Sequence, residues 1–313
     1  MSMIAHRKLG SSGLEVPVIT LGGNVFGWTV SESDTFGLLD RAVDLGLTFI
    51  DTADLYSRWV PGHKGGESET LIGKWLAKSG KRDRVTIATK VGMDMGEAGK
   101  GLSAKHIAQS AEASLRRLQT DRIDLYFSHL DDQETPLGET LTAHEKLLRE
   151  GKVRAVGASN YKGARLREAM KTKAIYTVLQ PHYNLVERPD YETDLAPVVA
   201  DYGLGVVPYF ALASGFLSGK YRSAKDAEGK ARGGAVGKYL NDRGFAVLAA
   251  LDAAAKEHSS TPARVALAWL IAQPGITSPI ASATNEVQLA DLAEAANLKL
   301  SKDSIQKLNQ ASA

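Results

Sequence analysis

Four side chains in this sequence are matched in chemistry: Asp51, Tyr56, Lys90 and His129. A phenol ionises near pH ~10, so it releases its proton readily at neutral pH only where a nearby cation favours the phenolate. Lys90 can supply that cation, Asp51 can hold the lysine charged and fixed, and His129 can aim an imidazole N–H at a carbonyl oxygen. Such a group protonates an oxygen while a hydride arrives at the adjoining carbon. None of the four is itself a hydride donor, so the chemistry requires an organic cofactor.

The elements that must position them read as alternating strands and helices. Asp51 ends the apolar run LTFID, Lys90 ends VTIATK, and His129 ends IDLYFSH. Tyr56 follows Asp51 in FIDTADLY, where a short loop can fold it back over the strand end. After an opening hairpin in RKLGSSGLEVP, strands are predicted to end near Gly22, Asp51, Lys90, His129, Ser159, Gln180, Tyr209 and Ala281. Helices are predicted between them, over 67–79, 103–118, 137–149, 161–172, 191–202, 243–258 and 262–273. The first helix begins at a Ser-x-x-Asp cap and ends at Gly46, with Leu38, Leu39, Ala42, Val43 and Leu45 on one face. Strands returning to a sheet through helices must pair in parallel, and eight such units make a (β/α)8 TIM barrel with an N-terminal β-hairpin.

A barrel carries its site at the C-terminal strand ends, which here hold Asn24, Asp51, Lys90, His129, Ser159, Asn160, Gln180, Tyr209 and Ser282. Any one of them reads as an ordinary polar strand end. An acid, a base and an imidazole from three consecutive strands do not. The competing open sheet lacks its signature: TLGGNVFG has the wrong glycine spacing for a dinucleotide fingerprint, and GEAGKG is no phosphate-binding P-loop.

Composition narrows the field. With 38 Lys plus Arg against 36 Asp plus Glu, the net charge of +2 offers no general attraction for nucleic acid or an anionic membrane. The absence of cysteine removes disulfides, thiolate metal sites and cysteine nucleophiles. The N-terminal MSMIAHRKLGSSG has no signal-peptide core, and no apolar run is long enough to span a bilayer, so a cytoplasmic protein is expected. One domain over 1–313 is expected too, since no linker divides the chain. Residues 213–242, with six glycines, read as one extended functional loop.

These motifs, taken together, resemble the aldo-keto reductase superfamily over nearly the whole chain. The resemblance rests on RKLGSSGLEVP, FIDTADLYS, the lysine of IATK, the histidine of IDLYFSH, GKVRAVGASNY, LQPHYNL, VVPYFALASGFLSGKY and PIASATNEVQL. It implies an NAD(P)-dependent oxidoreductase, with Asp51, Tyr56, Lys90 and His129 as the catalytic tetrad and Tyr56 as proton donor to an aldehyde or ketone. It also implies that Ser159, Asn160 and Gln180 meet the nicotinamide carboxamide, that Tyr209 stacks on the ring, and that Leu212, Ser214, Leu217 and Lys220 follow the pyrophosphate. Ser282 and Gln288 fall at the adenosine end. Where many members grip the 2′-phosphate of NADPH with Lys or Arg, residues 281–288 carry no basic residue, so NADPH is expected with NADH possible. The family's Tyr-Ser-Pro-Leu after the seventh strand is here Tyr209-Phe210-Ala211-Leu212.

Phe26, Trp28 and Trp59 lie in loops near the mouth and are expected to touch a small-molecule carbonyl or alcohol substrate. Arg222 joins Lys220 as a candidate clasp over the pyrophosphate, His182 is expected beside the cofactor strand, and Tyr183 beneath the cofactor. Two other readings compete: a regulatory barrel that keeps the cofactor site, as in the potassium-channel β-subunit branch, and a metal-dependent hydrolase using Asp51, Asp54, His129, His182 or Asp131. The lysine between the would-be ligands argues against the second.

Overall fold

Short strands buried almost throughout on both faces, alternating with amphipathic helices that cover them, build this molecule. The computed structural model describes residues 4–313. A hairpin comes first, β1 (His6–Lys8) antiparallel to β2 (Glu15–Pro17). Then come β3 (Thr20–Gly22), α1 (Glu32–Leu45), β4 (Phe49–Asp51), α2 (Glu67–Ser79), β5 (Thr86–Val91), α3 (Ala104–Leu118), β6 (Ile123–Ser128) and α4 (Leu137–Arg149). The alternation continues through β7 (Val153–Ser159), α5 (Gly163–Thr172), β8 (Tyr176–Gln180), α6 (Ala196–Tyr202) and β9 (Gly205–Val206). A long excursion holds α7 (Ala224–Ala227) and α8 (Gly233–Val236), followed by α9 (Asp242–Glu257), α10 (Pro262–Ala272), β10 (Ile280–Ala281), α11 (Glu286–Asn297) and α12 (Lys302–Ala311).

The sheet runs β10-β3-β4-β5-β6-β7-β8-β9, every neighbouring pair parallel. Its two edges meet, because Thr277 N donates to Val206 O and Ile280 N to Pro208 O, both at 2.9 Å. The fold is the expected (β/α)8 barrel. The hairpin plugs its N-terminal end: Leu9, Leu14 and Val16 join Phe49, Ala88, Leu125, Phe127, Ala155, Val178, Val207 and Ile280 in one interior cluster. The plug fits closely only because of paired glycines. A Cβ on Gly10, whose φ is +55°, would reach within 2.5 Å of Thr177 O, and one on Gly205 within 2.7 Å of Gly10 N.

Helix α1 begins as its sequence suggests, with Ser31 Oγ accepting from Asp34 N at 3.2 Å, and stops at Gly46 with φ 82°. Several elements depart from expectation. β9 and β10 are each two residues long; Pro279 immediately before β10 and Pro208 two residues past β9 have no N–H to extend a ladder. The segment 213–242 is not one extended loop but a string of short helical turns, including α7 and α8. Helices α11 and α12 follow the last strand, where no element was expected, although Asn285 and Ser301 cap them by accepting from Gln288 N and Ser304 N. Among the described residues no helix is long and apolar enough to cross a membrane.

Candidate active site

The site residues follow from the interior cluster by simple counting. Side chains two apart on a strand share a face. Asp51 lies two residues beyond Phe49, Lys90 beyond Ala88, His129 beyond Phe127, Gln180 beyond Val178, Tyr209 beyond Val207 and Ser282 beyond Ile280. Ser159 holds the same offset from Gly157, whose missing Cβ leaves room for the Phe127 ring. The face that fills the barrel with apolar side chains therefore delivers polar ones at its C-terminal rim.

Lys90, wholly buried, donates from Nζ to Asp51 Oδ2 at 2.7 Å, to Thr52 O at 2.7 Å and to the Tyr56 hydroxyl at 3.1 Å. Gln180 Nε2 donates to the other Asp51 oxygen at 2.9 Å, so both carboxylate oxygens are used. The ring of His129 stands 6.3 Å from that of Tyr56, centroid to centroid. Burial works against the Lys90 ammonium, yet Asp51 and Tyr56 outweigh it and hold the lysine above its ordinary value. Burial also pushes the Tyr56 hydroxyl above the usual phenol value, and Lys90 pulls it back only in part. The lysine therefore does not make Tyr56 a phenolate in the free protein, and its hydroxyl keeps its proton near pH 7. Burial, then the charge of Lys90, keeps His129 well below the usual histidine value, hence neutral near pH 7.

The loop carrying Tyr56 is fastened to its surroundings. Thr52 Oγ1 donates to Ser68 Oγ and Ser68 Oγ to Gly23 O, both at 2.8 Å, while Gly66 N and Ser68 N donate to Tyr56 O. Behind it Asp54, 2% exposed, has no partner for either carboxylate oxygen among the described residues; burial and the nearby Glu69 push it up to about 8. Glu69 is satisfied, accepting from Thr89 Oγ1 at 2.5 Å and Arg117 Nε at 2.6 Å.

Ser159, Asn160, Gln180 and Tyr209 form a second group against the first. Ser159 Oγ donates to Gln180 O at 3.0 Å, Asn160 Nδ2 to His129 O at 2.8 Å, and the Tyr209 hydroxyl to Asn160 Oδ1 at 2.7 Å. His182 stacks on Tyr209, 5.2 Å between centroids. Tyr183 is not beneath this rim: it packs outward on Tyr191 and Trp269 and donates to Glu192 Oε1. Asn160, Phe210, Ala213 and Ser214 all have positive φ although none is glycine, a concentration of unfavourable backbone that belongs with functional sites.

From this rim a cleft of about 450 Å3 runs outward. Leu212, Ser214, Lys220, Ser282 and Gln288 line it, as do Lys230, Arg232 and Arg264. Leu217 is fully buried and belongs to the core. Arg222 is turned away, bonded to both Asp252 oxygens at 2.8 Å. Arg264 is likewise taken, by Asp291. Lys220, Lys230 and Arg232 have no carboxylate partner among the described residues. Burial and then the charges of Arg232 and Lys230 lower Lys220, so three like charges share this space. The sequence reading missed Lys230 and Arg232; their spacing from Lys220 within a glycine-rich segment was the available signal.

Of the aromatic residues, Trp28 and Trp59 meet edge to face at 5.5 Å, and Trp59 meets Tyr56 at 5.7 Å. Phe26 is fully buried and presents no surface to the mouth. Loops at a barrel mouth have more core to join than expected: Phe26, from the same turn as Trp28, is part of the main apolar core. Among the described residues no group of three His, Asp or Glu side chains is placed to hold a metal ion.

Comparison with known proteins agrees with this architecture. A family model described as Aldo/keto reductase family matches residues 18–313. The chain is 37% identical to "Uncharacterized oxidoreductase YrpG" of Bacillus subtilis (strain 168), over 97% of this chain and 94% of that one. It is 30% identical to an L-glyceraldehyde 3-phosphate reductase of Escherichia coli O157:H7, over 97% and 91%, and 33% identical to protein tas of Escherichia coli (strain K12), over 95% and 94%. A barrel of this topology, with an acid, a phenol, a lysine and an imidazole at its rim, and a match over almost its full length make this chain a member of the aldo/keto reductase family, an oxidoreductase enzyme.

Proposed function

We propose that the enzyme reduces the carbonyl group of an aldehyde or ketone with NADPH, with Tyr56 as proton donor. The observation that carries this is the buried Lys90 donating at once to Asp51 and to the Tyr56 hydroxyl. The nicotinamide, when bound, supplies a hydride to the carbonyl carbon. This chain handles the oxygen. The carbonyl oxygen sits between the Tyr56 hydroxyl and the His129 ring; neutral His129 offers an N–H, and Tyr56 gives its proton as negative charge develops. The Lys90 ammonium then faces the phenolate that remains, and Asp51 keeps the ammonium in place.

The cleft residues fit a dinucleotide. Ser159, Asn160, Gln180 and Tyr209 would hold the nicotinamide end, and Leu212, Ser214, Ser282 and Gln288 the remainder. Three cations without carboxylate partners suit phosphates, and NADPH brings more negative charge than NADH. That charge comes from the 220–232 side of the cleft, which compensates for the missing basic residue at 281–288. Trp28 and Trp59 supply an apolar wall beside Tyr56. Relatives named L-glyceraldehyde 3-phosphate reductase support an aldehyde among the substrates.

Tyr56→Phe tests the assignment. Turnover of a carbonyl panel is expected to vanish, while the Kd for NADPH, followed by fluorescence quenching, stays near that of the wild type. Undiminished turnover overturns the role of Tyr56, and tighter binding of NADH than NADPH overturns the cofactor preference.

A further inference from the structure

Arg232 reaches the cleft from the glycine-rich turns of 229–237, and among the described residues the one aromatic ring its guanidinium lies over is that of Trp28. The guanidinium lies 5.6 Å from the centroid of Trp28 and is half-buried, with no hydrogen bond or ion pair to any other side chain among the described residues. The contrast with its neighbours is sharp, since Arg222 and Arg264 are each fixed by a carboxylate. A guanidinium is weakly hydrated and stacks readily on an aromatic face.

Trp28 is itself well anchored. It sits in a compact turn in which the N–H groups of Trp28, Thr29 and Val30 all donate to Val25 O at 3.1 Å, Gly27 N donates to Val30 O at 3.0 Å, and Gly27 adopts φ 75°. Val25 and Thr29 of the same turn line the cleft that Lys220, Lys230 and Arg232 line. The turn is therefore a wall of the cleft, not only of the mouth.

Resting on the reading of this cleft as a dinucleotide site, we propose that Trp28 is a positioning residue for the cofactor: its ring holds the Arg232 guanidinium over the cleft, ready for the cofactor's phosphates. An arginine already held near an aromatic ring loses less rotamer freedom when an anion arrives. The same ring meets Trp59, which meets Tyr56, so an Arg232 fixed by phosphate also steadies the aromatic wall beside the proton donor. This ties the substrate side of the mouth to the cofactor side through one side chain.

Calorimetric titration of NADPH tests the proposal, because it does not depend on tryptophan emission. The Trp28→Leu protein is expected to bind about fivefold more weakly than wild type, the scale of a partly desolvated cation–π contact, and Trp28→Phe to recover most of the loss. In an Arg232→Gln background Trp28→Leu is expected to add nothing, since the partner is gone. Arg232→Lys, which leaves Trp28 in place and keeps the charge without the flat face, is expected to bind severalfold more weakly and provides a reading even if Trp28→Leu does not fold. Full additivity of the Trp28→Leu and Arg232→Gln losses, wild-type affinity in Trp28→Leu with only the substrate KM raised, or wild-type affinity in Arg232→Lys each overturns the proposal. A wild-type protein that binds neither NADPH nor NADH overturns the dinucleotide reading itself, a distinct result.

Discussion

Replacing Asp51 by Asn keeps the shape of the side chain and removes the one full negative charge that answers Lys90. The lysine is wholly buried, and its other two partners, Thr52 O at 2.7 Å and the Tyr56 hydroxyl at 3.1 Å, are neutral. Removing one member of a buried ion pair costs about 3–5 kcal/mol, because the remaining charge stays desolvated without compensation. For 313 residues with a typical unfolding entropy per residue, that lowers Tm by about 5–8 °C. The dependence on pH changes sign as well. In the wild type Lys90 is held above the ordinary lysine value of 10.5, so its contribution is complete below that value and is lost as pH rises through the higher folded one. In Asp51→Asn burial prevails and pulls Lys90 down. The folded variant then binds fewer protons than its unfolded chain, and its stability rises with pH toward 10.5. Urea unfolding of both proteins across pH 6–10, followed by circular dichroism, is expected to give curves that converge at the alkaline end. A variant within about 1 kcal/mol of wild type at pH 7, with a parallel pH curve, refutes the reasoning.

Two further perturbations separate local from tertiary causes. Ala is the better helix former by about 1 kcal/mol, so Gly37→Ala in α1, where an added Cβ meets nothing within 4 Å, is expected to stabilise by about 0.5–1 kcal/mol. Gly73→Ala in α2 is expected to do the reverse and cost about 1–3 kcal/mol, since its Cβ would overlap Arg117 O and stand 2.7 Å from the Leu118 carbonyl carbon; paired thermal melts decide, and equal shifts refute the packing argument. Asp54, pushed up to about 8, favours folding most at acid pH and loses that contribution as pH rises through its folded value. Asp54→Asn is therefore expected to exceed the wild type in stability at pH 7, by a margin that widens from pH 4 to 8; a margin independent of pH in urea titrations contradicts a buried neutral acid.

Much of the site was legible because barrel strands obey a short-range rule. Once the strands were recognised, the residues two beyond each interior side chain were bound to share its face, and Asp51, Lys90, His129, Gln180 and Tyr209 stand there. Tyr56 required one further assumption, a loop short enough to return, and Lys90 is within 3.1 Å of its hydroxyl. Less was legible where the chain leaves that rule. Phe26 and Trp28 are two residues apart in one turn, yet one is buried in the core and the other lies 5.6 Å beneath the Arg232 guanidinium. Composition alone does not distinguish them, because the partner of each lies far off in the chain.

The alternation of barrel strands and helices up to the last strand, and which polar residues ring the mouth, follow from the sequence alone, since these depend on periodicities of two and 3.6 residues. Tertiary structure alone decided the state and neighbours of those residues. Burial, invisible in a list of residue types, keeps Tyr56 a phenol and His129 neutral, and Asp51 keeps Lys90 charged. The near-neutral overall charge gave no hint that Lys220, Lys230 and Arg232 gather in one cleft while Arg222 and Arg264 are neutralised beside them. Electrostatic attraction falls with distance and with solvent, so what a charge does depends on what the fold brings within a few ångströms of it.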